Sequence, residues 1–291
     1  MNRFFALIGA LLFAFISISS ACTAAPVGLI HFTLEPERGD ASRLKAHFRS
    51  EDRGHGDNDW STEFRPTELG GLDLAGFRGS GSRPLRFALI REAGRLDCSG
   101  NGGDSYAAGN CRFTADPAFT QLLSSRGIGR PTQEEAFGLM AVNVRRELIE
   151  AVAAAHYPTP SIDNLMALSA LNVTGTYISE MARVGYRPRT IDSLIEFKAL
   201  EITPQWIAGF VRIGYADLPG DELVQFRALN VTPDYVAGFD RVGYHHLSAD
   251  QLVQLKAMDI TPEFVRAVAG ANGPMPDMTK LIELKTFGTR H

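Results

Sequence analysis

The chain has 291 residues, 45% of them apolar, which suits two domains, or one domain with an array, and is ample for a buried core. A formal charge of −4 leaves no footprint for a polyanion, so no nucleic-acid partner is expected.

The first residues read as a secretory signal. Arg3 precedes the apolar run FFALIGALLFAFISI (Phe4 to Ile18), and the small residues of SSACTAAP follow. That run is shorter than the roughly 20 residues that cross a bilayer, so export is expected, with an uncleaved anchor as the competing reading. The segment SSAC (Ser19 to Cys22) resembles a bacterial lipobox, with Ser19 where that pattern usually has Leu. Cys22 is therefore a candidate lipidation site after a signal over 1–21. Ordinary cleavage after Ala21 or Ala24, giving a signal over 1–24, is the alternative.

From Val27 to Ala115 the apolar residues alternate, as half-buried strands require. Ile30, Phe32 and Leu34 make one run, Leu44, Ala46 and Phe48 the next, then Trp60, Thr62 and Phe64, and then Leu85, Phe87 and Leu89. The parity switches around Gly94, after which Leu96 and Cys98 continue, and this predicts a bulge there. The pieces ERGD, EDRGHGDND, RGSGSRP and SGNGG predict turns. Residues 25–115 are thus expected to form a small antiparallel β domain. With Cys22 in the leader, Cys98 and Cys111 remain as an even pair in an oxidising compartment, and a disulfide stapling the last hairpin is expected.

Beyond TADPAF the period changes, and residues 116–291 repeat every 29 residues. One slot reads Phe119, Leu148, Tyr177, Trp206, Tyr235, Phe264; another reads Gly127, His156, Gly185, Gly214, Gly243, Asn272; a third reads Leu165, Leu194, Leu223, Leu252, Leu281. The phrases RVGYRP, RIGYAD and RVGYHH, starting at Arg183, Arg212 and Arg241, keep the same beat. Self-similarity at this period means an array. Each unit predicts two helices. The first opens at Ser161, Thr190 or Ser248 with an acid in the first turn, and TQEE from Thr132 has capping-box spacing. The second opens at Thr203-Pro204, Thr232-Pro233 or Thr261-Pro262 and ends at the repeated Gly. The first helix is apolar around most of its circumference, so a unit cannot bury itself and stacking is obligatory. Five units from Thr132 to about Pro276 are expected, with a half unit on each side. The fold class is α+β: a β domain followed by an α-helical-hairpin repeat solenoid of 29-residue period.

Candidate chemistry is sparse. The seven histidines form no metal-binding spacing, so neither metal nor cofactor is expected. HGDND (His55 to Asp59) has the acidity of a calcium loop but lacks its following Gly and distal Glu, and reads more plainly as a hydrated turn. GSGSRP (Gly79 to Pro84) is not a nucleophile elbow, and GNGGD (Gly100 to Asp104) precedes a strand, so it is no phosphate cradle. No catalytic residue and no enzymatic activity are expected. A hydrolase would need a buried acid–base pair near His31, His47 or Asp97. Charge does recur on the array. Lys198, Arg227, Lys256 and Lys285 share one slot, and Arg183, Arg212 and Arg241 another. Such cations complement helix ends or lay their stems over apolar surface. They also form a candidate ladder (Arg183, Arg212, Arg241, Lys198, Arg227, Lys256) for an acidic protein or peptide.

The stretch FALIREAGRLDCSGNG…AAGNCRFTADPAF, joined to LMALSALNVTGTYISEMARVGY and its copies, resembles bacterial envelope proteins. These pair a glycine-rich β segment with Leu…Val-Thr…Gly-Tyr helical repeats. Similar stretches are appended to membrane metallopeptidases of the β-lactam-sensor type, whose peptidase domain has no counterpart here. The resemblance covers roughly Leu85 to Val268. It implies an exported sensing or adaptor module of the periplasm or outer membrane of a Gram-negative bacterium, touching the membrane only through a lipid anchor. A sensor of a small ligand or ion, or a hydrolase with its site in the β domain, is the alternative.

Overall fold

A computed structural model describes residues 29–50, 58–269 and 275–288. The expected leader with Cys22, residues 55–57 of the acidic loop, and Asn272 lie outside them.

Seven antiparallel strands form one sheet: β1 (Ile30–Glu37), β2 (Asp40–Ser50), β3 (Asn58–Phe64), β4 (Leu69–Gly70), β5 (Arg83–Arg91), β6 (Gly94–Gly103) and β7 (Tyr106–Ala115). Their order is β3-β2-β1-β7-β6-β5-β4, so β1 lies beside β7 and joins the first strands to the last hairpin. Alternation sends Ile30, Phe32, Leu34, Leu44, Ala46, Phe48 and Phe64 into the core. The other face carries Arg43–Glu63, Arg49–Asp59 and Arg95–Asp97 ion pairs in solvent, where each contributes little. Between β4 and β5 the chain makes a short helix, α1 (Leu74–Arg78), capped by Asp73 and anchored by the fully buried Phe77.

Two turn expectations are corrected. The parity switch at Gly94 is a hairpin and not a bulge: Glu92 and Ala93 form a two-residue turn that pairs Arg91 with Gly94, Leu89 with Leu96 and Phe87 with Cys98. Such a turn pairs odd with even positions, so the buried residues change parity while staying on one face. SGNGG, in turn, is strand and not turn. Gly100 faces Gly109, and a Cβ on Gly100 would overlap the Ala108 carbonyl, while one on Gly109 would meet the Phe32 ring. Glycine is needed there for close backbone approach. The turn falls one step later, at Asp104 (φ 52°) and Ser105 (φ 62°), both left-handed as a two-residue hairpin of this kind demands.

Cys98 and Cys111 are directly opposed on β6 and β7, their Cα atoms 4.0 Å apart, and form the expected disulfide inside the sheet core.

Helices follow: α2 (Pro117–Ser125), α3 (Gln133–Ala141), α4 (Arg146–Ala154), α5 (Ile162–Ala170), α6 (Gly175–Arg183), α7 (Ile191–Ala199), α8 (Pro204–Arg212), α9 (Gly220–Ala228), α10 (Pro233–Asp240), α11 (Ala249–Ala257), α12 (Pro262–Ala269) and α13 (Met278–Phe287). Thr132, Ser161, Thr190 and Ser248 cap the odd-numbered helices α3, α5, α7 and α11, and Thr174, Thr203 and Thr232 cap α6, α8 and α10. Pro219 precedes α9 without a side-chain cap. Gly185, Gly214 and Gly243 take φ of +81°, +94° and +94° after the even helices, the left-handed residue that closes a helix.

Helices two places apart pack together, α3 with α5 and α5 with α7, and α4 with α6, α6 with α8, α8 with α10 and α10 with α12. Contact is close: a Cβ on Gly209 or Gly238 would lie 2.7 or 2.6 Å from a ring carbon of Pro233 or Pro262 in the next helix pair. The sheet core continues into the helices through Phe137, Leu139, Met140 and Val144. Arg91 locks that junction. Its guanidinium donates to the carbonyls of Met140 (2.8 Å) and Ala141 (2.5 Å) at the end of α3, and lies over the rings of Trp60 and Phe64. Among the described residues no helix is long and apolar enough to cross a membrane.

Candidate functional site

On the β domain, a cavity of about 360 Å³ is lined by His31, Thr33, His47, Arg49 and Asp59 together with Phe32, Phe48 and Trp60. Pairing of β1 with β2 sets His31 opposite Arg49 and His47 opposite Thr33. Asp59 receives the Arg49 guanidinium at 3.0 Å, and that hydrogen bond holds its carboxyl below the usual range. Asp97 is elsewhere. It sits on β6, with β7 between it and β1, and is bound by Arg95 at 2.7 Å. The structure therefore brings His31 and His47 to one cavity and leaves Asp97 out. Among the described residues, no group of three His, Cys, Asp or Glu is placed to hold a metal ion.

The helices carry a recurring arrangement. Lys198 Nζ lies 4.7 Å from the Tyr177 ring centre, the Arg227 guanidinium 6.0 Å from Trp206, Lys256 Nζ 4.7 Å from Tyr235, and Lys285 Nζ 5.2 Å from Phe264. Each cation belongs to an odd helix and each ring to the preceding even helix. The basic slot and the aromatic slot of the sequence are thus partners across neighbouring pairs, a favourable cation–π geometry. Two of these cations, Arg227 and Lys285, also reach the end of the preceding odd helix. Arg227 donates to the Leu200 carbonyl at 2.7 Å and Lys285 to that of Asp259 at 2.7 Å; in the equivalent place Ser169 donates to Val142 at 2.7 Å.

A second left-handed position recurs after the odd helices, which the sequence reading missed: Asn143, Asn172, Glu201, Asn230 and Asp259, with φ between 52° and 57°. The signal was present in part, since four of the five are Asn or Asp, which tolerate this conformation, and the positions are 29 residues apart in the sequence. The slot matters because its charge decides the state of the cation beside it. Glu201 pairs with Arg227 at 3.1 Å and Asp259 with Lys285 at 3.4 Å.

Arg183 and Arg212 end α6 and α8, and Arg241 follows α10; all three are exposed. Arg183 and Arg212 make no ion pair or hydrogen bond among the described residues, and the field of Glu263 reaches Arg241. Arg183 and Arg212 thus lie on even helices and Arg241 just after one, whereas Lys198, Arg227 and Lys256 lie on odd helices.

Tyrosines tie the pairs together. Tyr215 and Tyr244 of the repeated phrase donate to the carbonyls of Leu247 and Pro276, the residues just before Ser248 and Asp277, which cap α11 and α13. Tyr177 donates to Ile202 at 2.8 Å and Tyr235 to Ile260 at 2.7 Å. Burial pushes the Tyr177 hydroxyl up to about 12 and raises that of Tyr235 as well. An unfolded tyrosine titrates near 10, so the folded state holds the proton more tightly. The resulting stability is fully present below about pH 10 and is lost as pH rises through about 12. Thermal midpoints measured from neutral to strongly alkaline pH should fall across that window. Tyr177→Phe should flatten the fall while costing about 1 kcal/mol at neutral pH from the unmet carbonyl. An alkaline slope identical to the parent would contradict this.

No protein-family model matches the chain, and neither does any curated protein or solved structure.

Proposed function

We propose that this protein is a non-catalytic adaptor of the bacterial cell envelope. In this reading residues 116–291 form an α-solenoid of about five 29-residue units with half units at both ends, and its surface binds a protein or peptide. The observation that carries it is the cation-over-ring arrangement repeated at Lys198, Arg227, Lys256 and Lys285. Stacked units of this kind present one chemistry at regular intervals along an extended surface, which suits an elongated partner. The disulfide suits an oxidising compartment. The envelope location follows from the leader and from the resemblance to envelope repeat proteins.

The cavity at His31, His47, Arg49 and Asp59 supports a second reading, a sensor of a small anionic ligand held on the sheet face.

In-cell crosslinking and purification of the processed protein tests the adaptor reading, beside a variant with Arg183, Arg212 and Arg241 changed to Ala. One partner recovered near stoichiometrically is the expected result. Its loss from an equally stable variant would assign the arginine series to binding. Recovery of no partner by the parent protein would overturn the adaptor reading and leave the ligand sensor.

A further inference from the structure

A groove of about 600 Å³ opens on the helical surface, lined among others by Leu171, Tyr177, Lys198, Ile202, Trp206 and Arg227. Its charged lining residues are Lys198, Arg227 and Glu201, a balance of one net positive charge. Arg227 is already engaged by Glu201 and the Leu200 carbonyl. Lys198 is not. The residue 26 positions before it is Asn172, where Arg227 and Lys285 have Glu201 and Asp259 at the same separation, and Lys256 likewise has Asn230. Among the described residues Lys198 and Lys256 make no ion pair, each held only over a tyrosine ring. Neutralised and open cations therefore alternate along the helices.

A ring takes one face of an ammonium group and leaves donors directed outward. The open lysines thus hold positive charge in place beside an apolar floor of Leu171, Ile202 and the half-buried Trp206. A partly exposed indole is among the side chains that most often dominate binding energy at protein interfaces, and a fixed cation beside it sets the charge of what can dock. We infer that this groove receives an extended acidic segment of the partner, its carboxylates meeting Lys198 and, two units on, Lys256. The inference rests on reading the helices as a binding array. Packed helices lie about 8–10 Å apart and an extended chain advances about 3.4 Å per residue, so one unit spans about three residues of such a segment. The recognised pattern is therefore acidic, with an apolar residue about every third position.

The probe is an acetylated peptide repeating Glu-Glu-Leu, with Lys-Lys-Leu as the opposite-charge control, read by fluorescence anisotropy. Ala199 lines the groove and is exposed, so charge added there leaves the core untouched. The expected result is binding of the acidic peptide that weakens with salt, falls about tenfold in Ala199→Glu and in Lys198→Met, and tightens in Ala199→Lys. Unchanged melting of the Ala199 variants separates binding from folding. Absence of binding, equal affinity for the basic peptide, or indifference to both Ala199 changes would overturn the assignment. If the cellular partner is still captured by Ala199→Glu, the groove assignment fails and the adaptor reading stands. If no partner is captured by the parent, the adaptor reading falls with it.

Discussion

Replacing Cys98 and Cys111 together with Ala should lower the unfolding free energy by about 3 kcal/mol. The two residues are 13 apart in sequence, and releasing a loop of that length restores conformational freedom to the unfolded chain. Alanine is the informative replacement, since serine would add buried hydroxyls to a site enclosed by the sheet core. The effect should have a redox signature. A reductant lowers the thermal midpoint of the parent towards that of the double variant and leaves the variant itself unmoved. An oxidised parent with two titratable thiols at these positions would refute the pairing.

The other large effect is expected at Arg91. Its guanidinium holds the carbonyls of Met140 and Ala141 and lies over Trp60 and Phe64, so one side chain ties β5 and the rings of β3 to α3. Arg91→Ala removes the charge at a helix C-terminus, leaves both carbonyls without this donor and uncovers two rings. A loss of about 3 kcal/mol is expected in urea unfolding. Arg91→Lys should recover only part of it, because an ammonium lacks the planar fork that meets two carbonyls while stacking on aromatic faces. A cost below about 0.5 kcal/mol for Arg91→Ala, the range of ordinary surface changes, would remove Arg91 as the lock of this junction.

The sequence pattern foretold much of this architecture for identifiable physical reasons. Strand burial at Ile30, Phe32, Leu34, Leu44, Ala46 and Phe48 follows from a period of two, and the caps at Thr132, Ser161, Thr190, Thr203, Thr232 and Ser248 follow from local hydrogen-bond chemistry. Long-range facts were less legible. SGNGG looks like a turn because glycine composition does not distinguish a bend from two backbones in close approach, and only the pairing with Gly109 decides it. The helix α1 and its anchor Phe77 escaped notice because five residues are too few to display a period.

The candidate site shows the same division. Both the aromatic slot and the basic slot were visible as periodic positions, yet nothing in their spacing says that Lys198 rests on Tyr177 or Arg227 on Trp206. That relation depends on the way one helix pair lies against the next. The alternation between neutralised and open cations was hidden for a related reason. It resides in the left-handed residue after each of these odd helices, a position set by backbone conformation, where a neutral Asn or an acid changes the electrostatics and not the 29-residue pattern.

The central claim is that the helices, and not the sheet face, carry the binding surface. Site-specific photocrosslinking in cells tests it most directly, with the photoreactive residue placed at Ala199 in the groove and, separately, at Ser61 on the exposed sheet face. The account predicts one discrete crosslinked species from position 199, competed by the acidic peptide, and none from position 61. A discrete product from position 61 with none from 199 would contradict it and move the function to the β domain.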